Sequence, residues 1–186
     1  MVGSAHLAST VSYNRKDGQS ELQNVDTTNK NTSLGEGAGS YARGGSNVFL
    51  GIRTGQFLAN GTNNVFVGTD SGQYNKSGSH NVFLGHQSGT YNSGSNNTFL
   101  GYQAGQCNNG SSNMFIGYKA GQYSKGSGNV IIGVSNPSPN VGNGGNDNTM
   151  LGVNTGVANS GDSNVFIGTK AGFGNESGSN NIFLGT

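Results

Sequence analysis

Residues 97–105 read Asn97-Thr98-Phe99-Leu100-Gly101-Tyr102-Gln103-Ala104-Gly105, and the start of this pattern returns along most of the chain. Asn, two or three apolar residues and Gly recur at 47–51, 64–68, 81–85, 113–117, 129–133, 148–152, 164–168 and 181–185. A degenerate copy begins at Asn31, with Ser33 in the aromatic place and Gly35 closing it. The ten copies are separated by 16, 17, 17, 16, 16, 16, 19, 16 and 17 residues. With each motif Asn set to zero, Gly occupies +4 in all ten copies, +8 in eight and −3 in nine. Those three columns hold 27 of the 35 glycines, and Phe fills +2 in seven copies. Flexible Gly-rich linkers keep no such register, so the glycine here is structural.

Composition narrows the class. At 186 residues and 18.9 kDa the chain suits one domain. It is 31% hydrophobic and 9% charged, against about 45–50% and about 25% in ordinary globular domains. A conventional two-layer core is therefore not expected. A net charge of +1 is equally unlike the highly charged chains that stay disordered. Two prolines and no strict G-X-Y period exclude collagen. No apolar run approaches the ~20 residues of a spanning helix, so no membrane insertion is expected. Nine Lys+Arg in a near-neutral chain make a poor nucleic-acid binder. Cys107, the lone cysteine, cannot form an internal disulfide. Residues 1–20 hold no apolar leader segment, so an intact secretory precursor is not expected.

The spacing predicts the fold. A repeat of 16–17 residues is too short for helical hairpins, which need about 33–47. Val-Phe-Leu favours a strand, and the flanking glycines end it after three or four residues, because glycine takes positive φ at a corner without a Cβ clash. One coil then reads strand, glycine corner, a short second strand near +6 to +10, and a Gly/Ser/Asn turn back. Stacking the coils about 4.8 Å apart buries a face that one coil cannot bury alone. The expectation is an all-β parallel β-solenoid, or β-roll, of about ten 16–17-residue coils over residues 31–186. Residues 1–30 lack the repeat and read as a lead-in segment, a cap or a joining arm, with a strand expected from Leu7 to Tyr13. The motif asparagines Asn47, Asn64, Asn81, Asn97 and Asn113 are expected to form an inward ladder.

Strand parity raises a further expectation. Positions +1 and +3 face one way and +2 the other, yet all three are apolar in nearly every copy. A strand apolar on both faces is normally covered on both. The column Phe49, Phe66, Phe83, Phe99 and Phe115 is therefore expected to form an outer stripe sealed by self-association, with three chains about one axis. The alternative is a coil wide enough for Phe to turn inward beside the Tyr and Phe residues at +10.

The pattern N-x-F-[LIV]-G-x-x-[AST]-G, iterated with S-G-S-x-N turns, resembles two groups. One is the head region of trimeric autotransporter adhesins; the other is the repeat region of phage and virus fibre proteins, which residues 97–105 follow nearly letter for letter. The resemblance covers about residues 31–186. It implies a homotrimeric fibre, on the cell exterior or the virion surface, built from shafts and spacers. The repeat is longer than the adhesin roll, and neither stalk heptads nor a membrane anchor is expected within residues 1–186. Ending at Thr186, one residue into a turn, suits a piece of a longer fibre or a filament subunit completed by a neighbour.

Few residues suggest chemistry. The histidines are His6, His80 and His86; neither His80 nor His86 has an acidic or cysteine partner at metal-ligand spacing, and Asp70, Asp147, Asp162 and Glu176 share no column. No cofactor is expected, and no enzymatic activity: a solenoid enzyme acting on polysaccharide would need clustered acids. Position +5 varies and is expected to point outward, bringing Tyr102 and Tyr118 together with His86 one coil before. Exposed aromatics of this kind can stack on sugar rings, which makes cell-surface carbohydrate a candidate partner. The 129 coil carries three extra residues with Pro137 and Pro139, a loop of the kind that holds binding functions on solenoids. The leading expectation is a structural fibre or adhesin segment that partners itself. A glycan- or ice-binding module and a subunit of an extracellular filament are the alternatives.

Overall fold

The structure is a computed structural model that describes residues 12–16, 19–26, 29–134 and 144–186. Leu7 of the expected lead-in strand and the Pro137–Pro139 insertion lie outside these residues. Twelve strands form one sheet in sequence order. A hairpin of β1 (Ser12–Lys16) and β2 (Gln19–Asp26) pairs antiparallel onto β3 (Asn31–Leu34). From β3 onward ten strands run parallel, through β4 (Val48–Leu50), β5 (Val65–Val67), β6 (Val82–Leu84), β7 (Thr98–Leu100), β8 (Met114–Ile116), β9 (Val130–Ile132), β10 (Thr149–Leu151), β11 (Val165–Ile167) and β12 (Ile182–Leu184). Register is kept throughout, with Phe49 opposite Phe66, Phe66 opposite Phe83, and Phe83 opposite Phe99. The result is a parallel β-solenoid of about nine turns, with no helix among the described residues. The β1–β2 hairpin pairs the edge that the first coil would otherwise leave open to strand addition.

Each coil has one strand, not two. The expected second strand at +6 to +10 is a run of turns. Position +6 sits in the left-handed region, at φ 52 for Arg53, 58 for Asp70, 58 for Gln87 and 54 for Gln103. Gly55, Gly72, Gly89 and Gly105 at +8 do the same, at φ 56–58. Backbone held there curls and cannot extend.

Phe points inward, which corrects the outer-stripe expectation. Phe49, Phe66, Phe83, Phe99 and Phe115 have 0% exposure in the single chain. The glycines of the facing wall explain why. A Cβ on Gly105 would lie 2.4 Å from the Phe99 ring, and one on Gly89 would lie 2.4 Å from Phe83. The +8 column thus leaves a slot one ring wide between strand and facing wall, and the coil is thick enough for the aromatic. Neighbouring rings stack at 4.7 Å for Phe66–Phe83, 4.8 Å for Phe83–Phe99 and 4.9 Å for Phe99–Phe115, within 4° of parallel. Ser33, Ile131 and Met150 take the inward place in the three coils that lack Phe, all of them buried. The aromatics at +10 do not join this core; they leave the facing wall on its outer side.

The Asn ladder forms, and each amide serves two strands of the stack. Asn97 Oδ1 accepts the backbone N–H of Asn113, and Asn97 Nδ2 donates to the Gly110 carbonyl, at 2.9 and 3.0 Å. Asn64, Asn81 and Asn113 make the same pair of bonds to the coil that follows. The ladder therefore ties each strand to the turn and strand of its neighbour, and no buried polar side chain among the described residues lacks a partner. Two further ladders support it. Asn75, Asn92 and Asn108 at +11 link amide to amide, and the hydroxyls of Ser79, Ser95, Ser111 and Ser127 at −2 accept the N–H of the preceding coil. An interior built of ring stacks and amide ladders explains how a chain 31% hydrophobic closes a core.

Candidate functional site

With the interior filled by repeat residues, the variable chemistry lies on the outer walls. The strand wall is the most apolar. Positions +1 and +3 point outward along β3 to β12 and include Val82, Leu84, Leu100, Met114, Leu151 and Ile167, each 40–45% exposed. No charged residue occupies either column. One apolar face of the strand is uncovered in the single chain, and it is the +1/+3 face, opposite to the buried Phe column.

The corner at +5 and +6 brings the sequence-predicted residues together. His86, Tyr102 and Tyr118 lie on three successive coils and form a continuous column. The His86–Tyr102 ring centroids are 5.5 Å apart, and Tyr102 stacks on Tyr118 at 5.3 Å and 10°. Lys119 Nζ lies 5.3 Å from the Tyr118 centroid, within the range of a cation–π contact. The tyrosine faces are thus partly occupied by one another, which leaves their edges and hydroxyls outermost. On the same corner Arg53 grips the Asp70 carboxylate with two bonds, Nε to Oδ1 at 2.7 Å and a terminal nitrogen to Oδ2 at 3.1 Å. This coil-to-coil ion pair was missed because its partners are 17 residues apart, one full repeat.

The facing wall carries an aromatic row that the sequence had placed without its direction. Tyr41, Phe57, Tyr74 and Tyr91 at +10 stack at 5.2, 5.1 and 5.1 Å, within 7° of parallel. Tyr41 is 61% and Tyr91 52% exposed. Cys107 takes the next place in the row, half-buried, and burial pushes its thiol pKa up. His80 lies beyond the opposite corner, with Nε2 3.4 Å from Asn63 Nδ2. Among the described residues no group of three His, Cys, Asp or Glu side chains is placed to hold a metal ion. No helix among them is long and apolar enough to cross a membrane.

These features define a β-solenoid repeat protein with an apolar sheet face on one side and an aromatic row on the other. No family model matches the chain, no curated protein matches it in sequence, and no solved structure matches it.

Proposed function

We propose that residues 31–186 form a structural fibre or adhesin segment, a stiff rod that assembles with copies of itself through the outer face of its sheet. The uncovered +1/+3 face carries this reading. It runs unbroken over ten strands, roughly 43 Å at about 4.8 Å per strand. Fully burying one Val, Leu or Ile is worth about 1.5–3 kcal/mol at ~25 cal/mol per Å2, which corresponds to roughly 60–120 Å2 each. Of the 17 apolar side chains of the two columns, ten are 39–71% exposed and the other seven less so, and the ten alone leave roughly 300–600 Å2 in water. That equals the largest apolar patch of a typical monomer, which is often functional, and with the seven partly exposed side chains added it approaches the about 800 Å2 per partner of a standard protein interface.

Three chains about one axis would cover the face from all sides, and the resemblance of the repeat to trimeric fibres and adhesin heads favours that number. The same resemblance favours the exterior of a cell or the surface of a virion. Catalysis is given no part in this reading. Any affinity for other molecules is gained by repetition along the rod and across chains. Sedimentation equilibrium of the purified chain tests the reading. A concentration-dependent oligomer, with a trimer mass at saturation, supports it; a monomer at all accessible concentrations overturns it.

A further inference from the structure

The facing wall combines two features that the rod reading does not use. Along a coil, +10 and +12 point outward while +11 is buried, as in Tyr74, Asn75 and Lys76. The charged residues of the +12 column are Arg43, Lys76 and Lys125, with Glu176 at its far end, so cations flank the aromatic row Tyr41, Phe57, Tyr74 and Tyr91. The columns run side by side, with Ala59 N–H donating to the Lys76 carbonyl and Tyr74 N–H to the Thr90 carbonyl. The sole ion pair among the described residues is Arg53–Asp70, at the other corner. Glu36 and Asp70 are the only acids in residues 29–134, and their +5 and +6 positions are on that corner too. Among the described residues no acid pairs with Arg43, Lys76 or Lys125.

We propose that this wall binds an extended acidic polysaccharide lying along the rod. The aromatic rings repeat every 5.1–5.2 Å, close to the advance of one pyranose in an extended glycan, so successive sugars meet successive rings. Tyr74 and Tyr91 stack on their neighbours in the row, so it is their exposed ring edges that meet the sugar C–H groups and their hydroxyls that meet the sugar hydroxyls, the two-sided chemistry that aromatic side chains bring to wet interfaces. Arg43 and Lys76 lie two coils apart, which suits one carboxylate per disaccharide. A nucleic acid fits less well. Three cations over five coils, roughly 24 Å at about 4.8 Å per coil, are sparse against a phosphate every ~3.4 Å of a DNA strand. The wall lies across the core from the sheet face, so this proposal holds whether or not the rods assemble.

The test measures binding of the full chain to a hyaluronan decasaccharide, with one carboxylate per disaccharide, by titration calorimetry at low salt. Neutral maltodecaose and single-stranded oligo(dT) are run beside it. The expected result is binding to hyaluronan alone, weakened by added salt and at least about fivefold weaker in Arg43→Gln/Lys76→Gln, the loss of two exposed charge contacts. Tyr74→Ala/Tyr91→Ala should lose as much, while Tyr102→Ala/Tyr118→Ala should bind unchanged. Circular dichroism confirms the fold of each variant, and the Gln pair tests the site even if the Ala pair fails to fold. The proposal is overturned by equal binding of maltodecaose, by tighter binding of oligo(dT), by loss of binding in the Tyr102/Tyr118 pair, or by no hyaluronan binding at millimolar concentration.

Discussion

Replacing Asn97 with Leu removes one rung of the ladder while keeping the volume close to that of the original side chain. Asn97 is fully buried, so water cannot take the place of its amide. Two groups lose their partners: the N–H of Asn113, held at 2.9 Å, and the carbonyl of Gly110, held at 3.0 Å. Each orphaned buried group costs about 1–3 kcal/mol, so the substitution should cost roughly 2–6 kcal/mol. The bond from Asn97 N–H to Asn81 Oδ1 survives, which confines the damage to the junction with the next coil. Asn60, exposed and with no side-chain bond, is the control, and Asn60→Leu should stay within about 0.5 kcal/mol of wild type. Urea denaturation followed by circular dichroism reads both. With a slope of about 1–3 kcal/mol per molar, the Asn97 variant should lose at least about 0.7 M in midpoint. Because a stack of repeats is held together by nearest-neighbour contacts, a central break also predicts a broader or two-step transition. An Asn97→Leu midpoint indistinguishable from that of Asn60→Leu would refute the ladder as a source of stability.

Other substitutions probe other parts of the coil. Gly105→Ala places a methyl 2.4 Å from the Phe99 ring at a φ of 56°, and should lower the thermal midpoint far more than Gly174→Ala, where nothing lies within 4 Å. Phe83→Ser/Phe99→Ser removes two rings buried within one chain, at about 3–5 kcal/mol each; circular dichroism should show unfolding, and a folded but dissociated chain would contradict inward packing. Cys107 has its pKa raised by burial, so at neutral pH less of it is thiolate than of an exposed cysteine. Iodoacetamide should therefore modify Cys107 more slowly than an exposed thiol peptide, with the rate rising as pH increases past the ordinary thiol range.

Much of the fold could be read from one column. Gly at +4 in every copy, with Phe two residues before it, marks a short strand and a corner, and identical spacing marks a stack. The direction of Phe could not be read, because strand parity says only that +2 opposes +1 and +3. The choice depends on the width of the coil, and that width is set across the core by Gly89 and Gly105, whose missing side chains admit the rings. The +11 asparagines Asn75, Asn92, Asn108, Asn159 and Asn175 were visible as a column. Polar residues in a Gly/Ser/Asn-rich turn look like surface, however, and only the structure puts Asn75, Asn92 and Asn108 at 0% exposure. The grouping of His86, Tyr102 and Tyr118 followed directly from the repeat. The pairing of Arg53 with Asp70, and the flanking of the +10 rings by +12 cations, needed the side chains in place.

One measurement bears on both the inward core and the outward apolar face: sedimentation velocity combined with circular dichroism on Leu84→Lys/Leu100→Lys. Both leucines lie on the outer wall, 44% and 41% exposed, so lysine there should block association and leave the core untouched. The expected result is a monomer with wild-type β signal and a thermal midpoint within a few degrees of an equally dilute wild type. A variant that unfolds on losing its partners would contradict a core closed by a single chain, and a variant that still assembles like wild type would contradict assembly through the sheet face.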